Sequence, residues 1–262
     1  MRTLSLSSLK GGTGKTALAA HLGVALTQEN LRCLIVDFDP QNALGYWFGM
    51  ELGERLGICR TGLNAVELLH FQRKARAEAP YLPFGATTEK ELAQLEALLE
   101  QNPDWLRRRL AEVAASEYDI VVLDTPSGNN VYSRQALAAS DVAVVVLLPD
   151  SSSYATMPAQ EWFLDHYARS RAEFRGAYYL VNQMDGRSEL SRDVKAALAN
   201  LVADATLPAA VPWDESMREA HARRNLVYQR YPDSQTWATV KELAGPLAAL
   251  VRDGGEPNFA AK

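Results

Sequence analysis

Lys10-Gly11-Gly12-Thr13-Gly14-Lys15-Thr16 follows the run Leu4-Ser5-Leu6-Ser7 and opens the alanine-rich segment Ala17-Leu18-Ala19-Ala20-His21-Leu22. A strand, a glycine turn and then a helix is the context a phosphate-binding loop needs, because the free N–H groups of the turn and first helical turn can converge on an anion. Gly11, Gly12 and Gly14 let the backbone approach that anion, with Thr13 and Ala17 completing the cradle. Lys15 is expected along the β- and γ-phosphates as a point charge, and the Thr16 hydroxyl is expected to supply one oxygen to Mg2+. The pattern G-x-x-x-x-G-K-[ST] lacks only its leading glycine, since Leu9 stands there while Lys10 enters beside the glycines. A turn that merely caps a helix explains neither lysine.

Composition sets the outer limits. The 262 residues, 47% apolar and 23% charged, suffice for one large α/β domain, which we place at 1–252 with a polar tail at 253–262. A net charge of -5 and a pI near 5.5 give no general attraction to nucleic acid or to an acidic membrane. Cys33 and Cys59 have neither metal spacing nor a disulfide framework, which fits a reducing cytosol. No apolar run approaches ~18 residues, so neither a signal peptide nor a membrane span is expected. The expectation is a cytoplasmic protein that meets a membrane only through a partner.

Further along, Arg32-Cys33-Leu34-Ile35-Val36-Asp37 reads as a buried parallel strand closed by Asp37-Phe38-Asp39-Pro40-Gln41. Ligands of open α/β sheets sit at the carboxyl ends of strands, so Asp37 and Asp39 are expected to face the crevice of the phosphate loop. Tyr46, Trp47 and Phe48 read as core or interface rather than as a cofactor-stacking cluster. Tyr81–Gly85 suggests a short strand and turn, then helices at Glu89–Glu100 and Pro103–Ala115, with Thr88 or Asn102 as caps. Arg107, Arg108 and Arg109 read as a solvated helix face.

Asp119–Pro126 is a β-branched run that carries Asp124 to the sheet edge, where it can hold Mg2+ through water and accept from Thr16. By position alone, Ser127–Asn130 is the candidate loop that senses a γ-phosphate. Val142–Pro149 is another apolar strand, and Ser151–Ala168 a helix whose Pro158 should kink it or delay its start. The strand Ala177–Asn182 ends in an amide that suits an adenine edge, an ordinary turn asparagine being the alternative. Leu207–Asp214 looks like a last strand and its loop, with helices at Ser216–Arg224 and Ser234–Val251. Alternating strands and helices predict a doubly wound, mostly parallel sheet with helices on both faces. His21, His70, His166 and His221 have no ligand spacing.

K-G-G-x-G-K-T and D-x-D-P-Q together resemble the deviant Walker A and Walker A′ motifs of the ParA/MinD superfamily, with Asp124 in the Walker B place. The resemblance implies that Asp39 orients the attacking water and that Asp37 supports the magnesium shell. It also implies that Asn182 meets adenine, with the backbone near Pro212 and Asp214 packed around the base. Leu82–Gly85, Gln101–Leu106, Leu190–Val194, Asp214–Ala220 and Tyr231–Gln235 further resemble the BcsQ family of bacterial cellulose-biosynthesis ATPases, extending the likeness over nearly the whole chain. That family implies a homodimer sandwiching two ATP, small regulatory partners in the cellulose secretion machinery, and indirect association with the inner membrane. The expected mechanism is Mg2+-dependent ATP hydrolysis coupled to dimerisation. In it Lys10 crosses to the other subunit's phosphates as an arginine finger does, and turnover is slow without an activating partner. Two rival functions are a DNA-partition ATPase using Arg218, Arg223 and Arg224, and a scaffold that binds nucleotide without hydrolysing it.

Overall fold

The computed structural model describes residues 1–61, 79–114, 117–202 and 205–253. Its strands are β1 (Arg2–Ser7), β2 (Cys33–Asp37), β3 (Tyr81–Leu82), β4 (Ile120–Asp124), β5 (Val142–Leu147) and β6 (Gly176–Val181). They form one sheet in the order β3-β2-β4-β1-β5-β6, and each pairing is parallel. Parallel strands bury both faces, which is why β2, β4 and β5 are continuous apolar runs. All carboxyl ends therefore share one edge. There the register sets Asp37 level with Asp124.

The early helices are α1 (Lys15–Gln28), α2 (Ile58–Thr61), α3 (Glu89–Gln101), α4 (Trp105–Ala114) and α5 (Val131–Ala139). The later ones are α6 (Ser151–Leu164), α7 (Glu189–Val202), α8 (Glu215–Ala222), α9 (Val227–Arg230) and α10 (Gln235–Asp253). Strand residues alternate between two cores. Leu4, Leu6, Ile35, Val122 and Val144 pack with α1 and α10, while Val36, Val121 and Leu123 pack with α3, α4 and α5. Beyond β1, Val145 and Val181 pack with α6 and α7. The sheet is thus covered on both faces, as the doubly wound reading requires.

Small residues let α1 lie close to the sheet: a Cβ added at Gly23 would run into the side chain of Ile35. Two residues before it, His21 is fully buried, with Nδ1 2.6 Å from the Ala17 carbonyl and Nε2 accepting from the Val227 N–H at 2.9 Å. Burial lowers its pKa to about 4, so it is a neutral strut between α1 and α9. Trp47 is buried against His21 and His221, which bears out the core reading of the aromatic segment. Arg108 and Arg109 pair with Asp104 and Glu112 on the outer face of α4.

Several boundaries differ from expectation. Thr88 caps α3 as expected, in a capping box with Glu91, whereas the Asn102 side chain, expected to cap the next helix, donates to the Leu98 carbonyl at the end of α3. Pro158 neither delays α6 nor breaks it, because Asp150 fixes the start by accepting from the Ser153 N–H at 2.8 Å. Its ring lies on the exposed side, where water can satisfy the freed carbonyl, and a π turn at Asp165–Arg169 carries the chain past Ala168. Leu207–Asp214 is not a strand. Leu207 and Val211 donate to Tyr179 and Val181, but Pro208 and Pro212 have no N–H, so only isolated bridges form. Ala115, His70 and residues 254–262 lie outside the described residues.

Candidate functional site

The glycine loop joins β1 to α1 and is held from several sides. Gly14 is the helix N-cap with a left-handed φ of 88°, and no side chain caps the first turn. Those N–H groups are left for an external acceptor, and no acid stands in the first turn to compete. A Cβ at Gly14 would collide with the Asn182 amide, so glycine is required there by conformation and by space. From the end of β6, Asn182 Nδ2 donates to the Thr13 carbonyl at 2.7 Å and Gln183 Nε2 to the Gly12 carbonyl at 3.1 Å. From α6, the buried Gln160 accepts from the Leu9 N–H at 3.1 Å, bracing the position where the pattern lacks its glycine.

Two lysines flank this loop in different environments. Lys15 is buried, and its Nζ donates to Ser127 Oγ at 2.8 Å, which ties the loop to Ser127–Asn130. Burial lowers its pKa, while Asp124 and Asp39 pull it back up. Lys10 forms an ion pair with Asp150, the same residue that caps α6. Burial alone would raise the Asp150 pKa, but Lys10 and Ser153 together outweigh it and hold the carboxylate below its ordinary value.

Three carboxylates stand opposite. Asp124 is fully buried and neither of its oxygens has a hydrogen-bond partner. Burial pushes its pKa up to about 7; the neighbouring Thr16 hydroxyl favours the charged form without reaching hydrogen-bond geometry. Asp37 is equally buried, and burial raises its pKa well above the usual range, but its oxygens accept from the N–H groups of Asp39 and Leu44, each at 3.0 Å. It braces the turn that carries Asp39. Asp39 accepts from the Gln41 N–H at 2.9 Å, and burial raises its pKa against the pull of Lys15.

An orphaned buried carboxylate is costly unless something positive binds it. Asp124 with the Thr16 hydroxyl is an oxygen-only donor set, which suits a hard cation that keeps several waters, such as Mg2+. Among the described residues no three His, Cys, Asp or Glu side chains group into a metal centre.

Beside the loop lies a cavity of about 290 Å³, lined in part by Ala17, Asn182, Pro212, Trp213, Asp214 and Arg218. The Asp214 carboxylate is committed to the protein, accepting from the Ser216 N–H at 2.9 Å and the Thr236 hydroxyl at 3.1 Å. Asn182 spends one amide N–H on Thr13, which leaves its carbonyl oxygen and its second N–H for a ligand. A larger cavity of about 550 Å³ adjoins the Asp39 turn through Pro40, Tyr46 and His221.

The structure thus brings Lys10, Gly11–Ala17, Asp37, Asp39, Asp124 and Asn182 to one edge, with Pro212 and Asp214 at the adjoining cavity. Sequence reasoning missed Asp150, Gln160 and Gln183. Asp150 carried a usable signal, an acid just before a serine run that opens a helix. Gln160 carried none.

Residues 1–246 match the protein family described as Cellulose biosynthesis protein BcsQ. The chain is 25% identical over 268 residues to the cellulose biosynthesis protein BcsQ of Salmonella typhi, covering 99% of this chain and 98% of that protein. It is 30% identical over 154 residues to the virulence plasmid ParA family protein pGP5-D of Chlamydia psittaci, covering 58% of this chain and 59% of that one. A solved structure of similar fold is the cobyrinic acid a,c-diamide synthase of Mycobacterium smegmatis with bound ADP and magnesium, at a TM-score of 0.78, 22% identity and full coverage of both chains.

Proposed function

The chain belongs to the cellulose biosynthesis protein BcsQ family, within the deviant Walker A ATPases of the ParA/MinD superfamily, and on that premise we propose that it is a magnesium-dependent ATPase that dimerises around ATP. The observation that carries this reading is the unpartnered, buried Asp124 beside the buried Lys15 at an uncapped helix start. A Mg2+-triphosphate would balance all three at once: anion against the N–H groups and lysine, cation against the carboxylate. The ADP and magnesium bound by the Mycobacterium smegmatis protein support the same ligand class.

In this reading Thr16 and Asp124 hold Mg2+, and Asp37 keeps the neighbouring turn in register. Bound Mg2+ withdraws charge from the phosphates. Lys15 neutralises the β- and γ-phosphates, and Asp39 orients the attacking water. Lys10 leaves Asp150 and reaches the phosphates bound by a second copy of the chain. Asn182 Oδ1, an acceptor, favours the amino group of adenine over the carbonyl of guanine, with the backbone at Pro212 and Asp214 flanking the base. Residues 1–252 act as one ATPase domain.

The family match over 1–246 favours a role in cellulose synthesis, with regulatory subunits of the secretion machinery as partners that bring the protein to the membrane. Among the described residues no helix is long and apolar enough to cross a bilayer. A second reading, a partition-type ATPase, is favoured by the more identical ParA-family relative. Against DNA binding, Arg224 is engaged by the Gly49 and Met50 carbonyls and Arg218 by Glu215, which leaves Arg223 alone of the basic patch.

The decisive experiment measures MgATP-dependent assembly by light scattering together with phosphate release. Lys10→Ala is expected to bind nucleotide but not dimerise, and Asp39→Ala to dimerise and stay trapped. A Lys10→Ala protein that dimerises with MgATP would remove the trans role, and unchanged phosphate release from Asp39→Ala would remove Asp39 from the chemistry. Non-specific DNA binding that falls steeply with salt would move the assignment to partition.

A further inference from the structure

Trp213 stands at the cavity beside the phosphate loop with 49% of its surface exposed. The other tryptophans are accounted for: Trp47, Trp105 and Trp237 are buried, and exposed Trp162 stacks on His166 at 5.0 Å. Trp213 has no ring contact among the described residues. Its backbone is nevertheless pinned on both sides. The Trp213 N–H donates to the Met184 carbonyl at 3.0 Å, Pro212 precedes it, and Asp214 next to it caps α8. The placement of the indole at the cavity is therefore built into the fold rather than left to a loose loop.

What else lines that cavity decides what it can recognise. Ala17 and Leu18 of α1 contribute small, apolar surface. The Asp214 carboxylate is engaged by Ser216 and Thr236, and the Asn182 and Gln183 amides each spend one N–H on the phosphate loop, at Thr13 and Gly12. A cavity that sets an exposed indole with a fixed backbone beside small aliphatic side chains favours flat ring area. We propose that Trp213 stacks on the base of the bound nucleotide and gives the site its preference for purine over pyrimidine nucleotides. This rests on the nucleotide reading above and adds to it a side chain that the superfamily motifs do not include.

The test uses the full chain and three probes with Mg2+: ADP, CDP and inorganic pyrophosphate, each titrated by calorimetry. Stacking of this kind predicts that Trp213→Ala weakens ADP by about 5- to 150-fold and brings the ADP-to-CDP ratio toward one. Pyrophosphate affinity should not change. Trp213→Phe, which keeps a ring, should restore most of the preference. Unchanged ADP affinity in Trp213→Ala, or an equal loss for pyrophosphate, overturns the stacking role while the nucleotide site stands. If the wild-type chain binds none of the three, the nucleotide reading falls and this one falls with it.

Discussion

Asp150 does two jobs that a pair of substitutions can separate. It accepts from the Ser153 N–H at the start of α6, and it holds Lys10 in an ion pair. Asp150→Asn keeps a good N-cap and removes only the charge; Asp150→Ala removes both. The pair is partly exposed, 24% for the lysine side chain and 39% for the aspartate, so it contributes on the order of 0.5–1 kcal/mol. The cap adds about 1 kcal/mol. Asp150→Asn should therefore lower the unfolding free energy by ~0.5–1 kcal/mol and Asp150→Ala by ~1.5–2 kcal/mol in urea titrations. Assembly should move the other way. If each protomer must break this pair to send Lys10 across, the dimer is relieved of the cost twice, and Asp150→Asn should tighten MgATP-dependent dimerisation by about 5- to 30-fold. Sedimentation velocity over a concentration series reads that constant. Weaker dimerisation in Asp150→Asn, or equal destabilisation by Asn and Ala, would refute the reasoning.

Other consequences concern buried titratable groups. Burial raises the Asp124 pKa to about 7, so its charged form is unfavourable in the fold and its contribution to stability falls as pH rises from about 4 to 7. Asp124→Asn should raise the melting temperature of the nucleotide-free protein at pH 8 and shrink the further rise caused by MgADP; a full MgADP response in this variant would take Asp124 out of the metal site. His21 behaves oppositely in pH. Its folded pKa of about 4 lies below the ordinary 6.5, so its contribution is present above pH 6.5 and is lost as pH falls toward 4. That amounts to about 3 kcal/mol, and urea midpoints at pH 7 and 4.5 should differ more for the wild type than for His21→Gln; equal differences would count against the neutral strut.

Much of the site was legible because its parts are neighbours along the chain. A strand, a glycine turn and a helix within Leu4–Leu22 place Gly14, Lys15 and Thr16 at one helix start whatever the rest of the protein does. Asp37, Asp39 and Asp124 were legible for the same reason: each ends or follows a continuous apolar run, and such runs become buried parallel strands whose ends share an edge. Tertiary structure alone decided how those parts meet. Lys10 and Asp150 are 140 positions apart, and Asn182 and Thr13 are 169 apart, so no local periodicity encodes either bond. The insertion of β4 between β2 and β1, which sets Asp37 level with Asp124, is likewise a matter of strand order. Leu207–Asp214 shows the limit from the other side, since its apolar residues do meet β6 while its prolines cannot complete a ladder. Local backbone chemistry fixes which groups a segment can offer, whereas the partner of each group depends on how distant segments pack, and packing is a property of the whole chain.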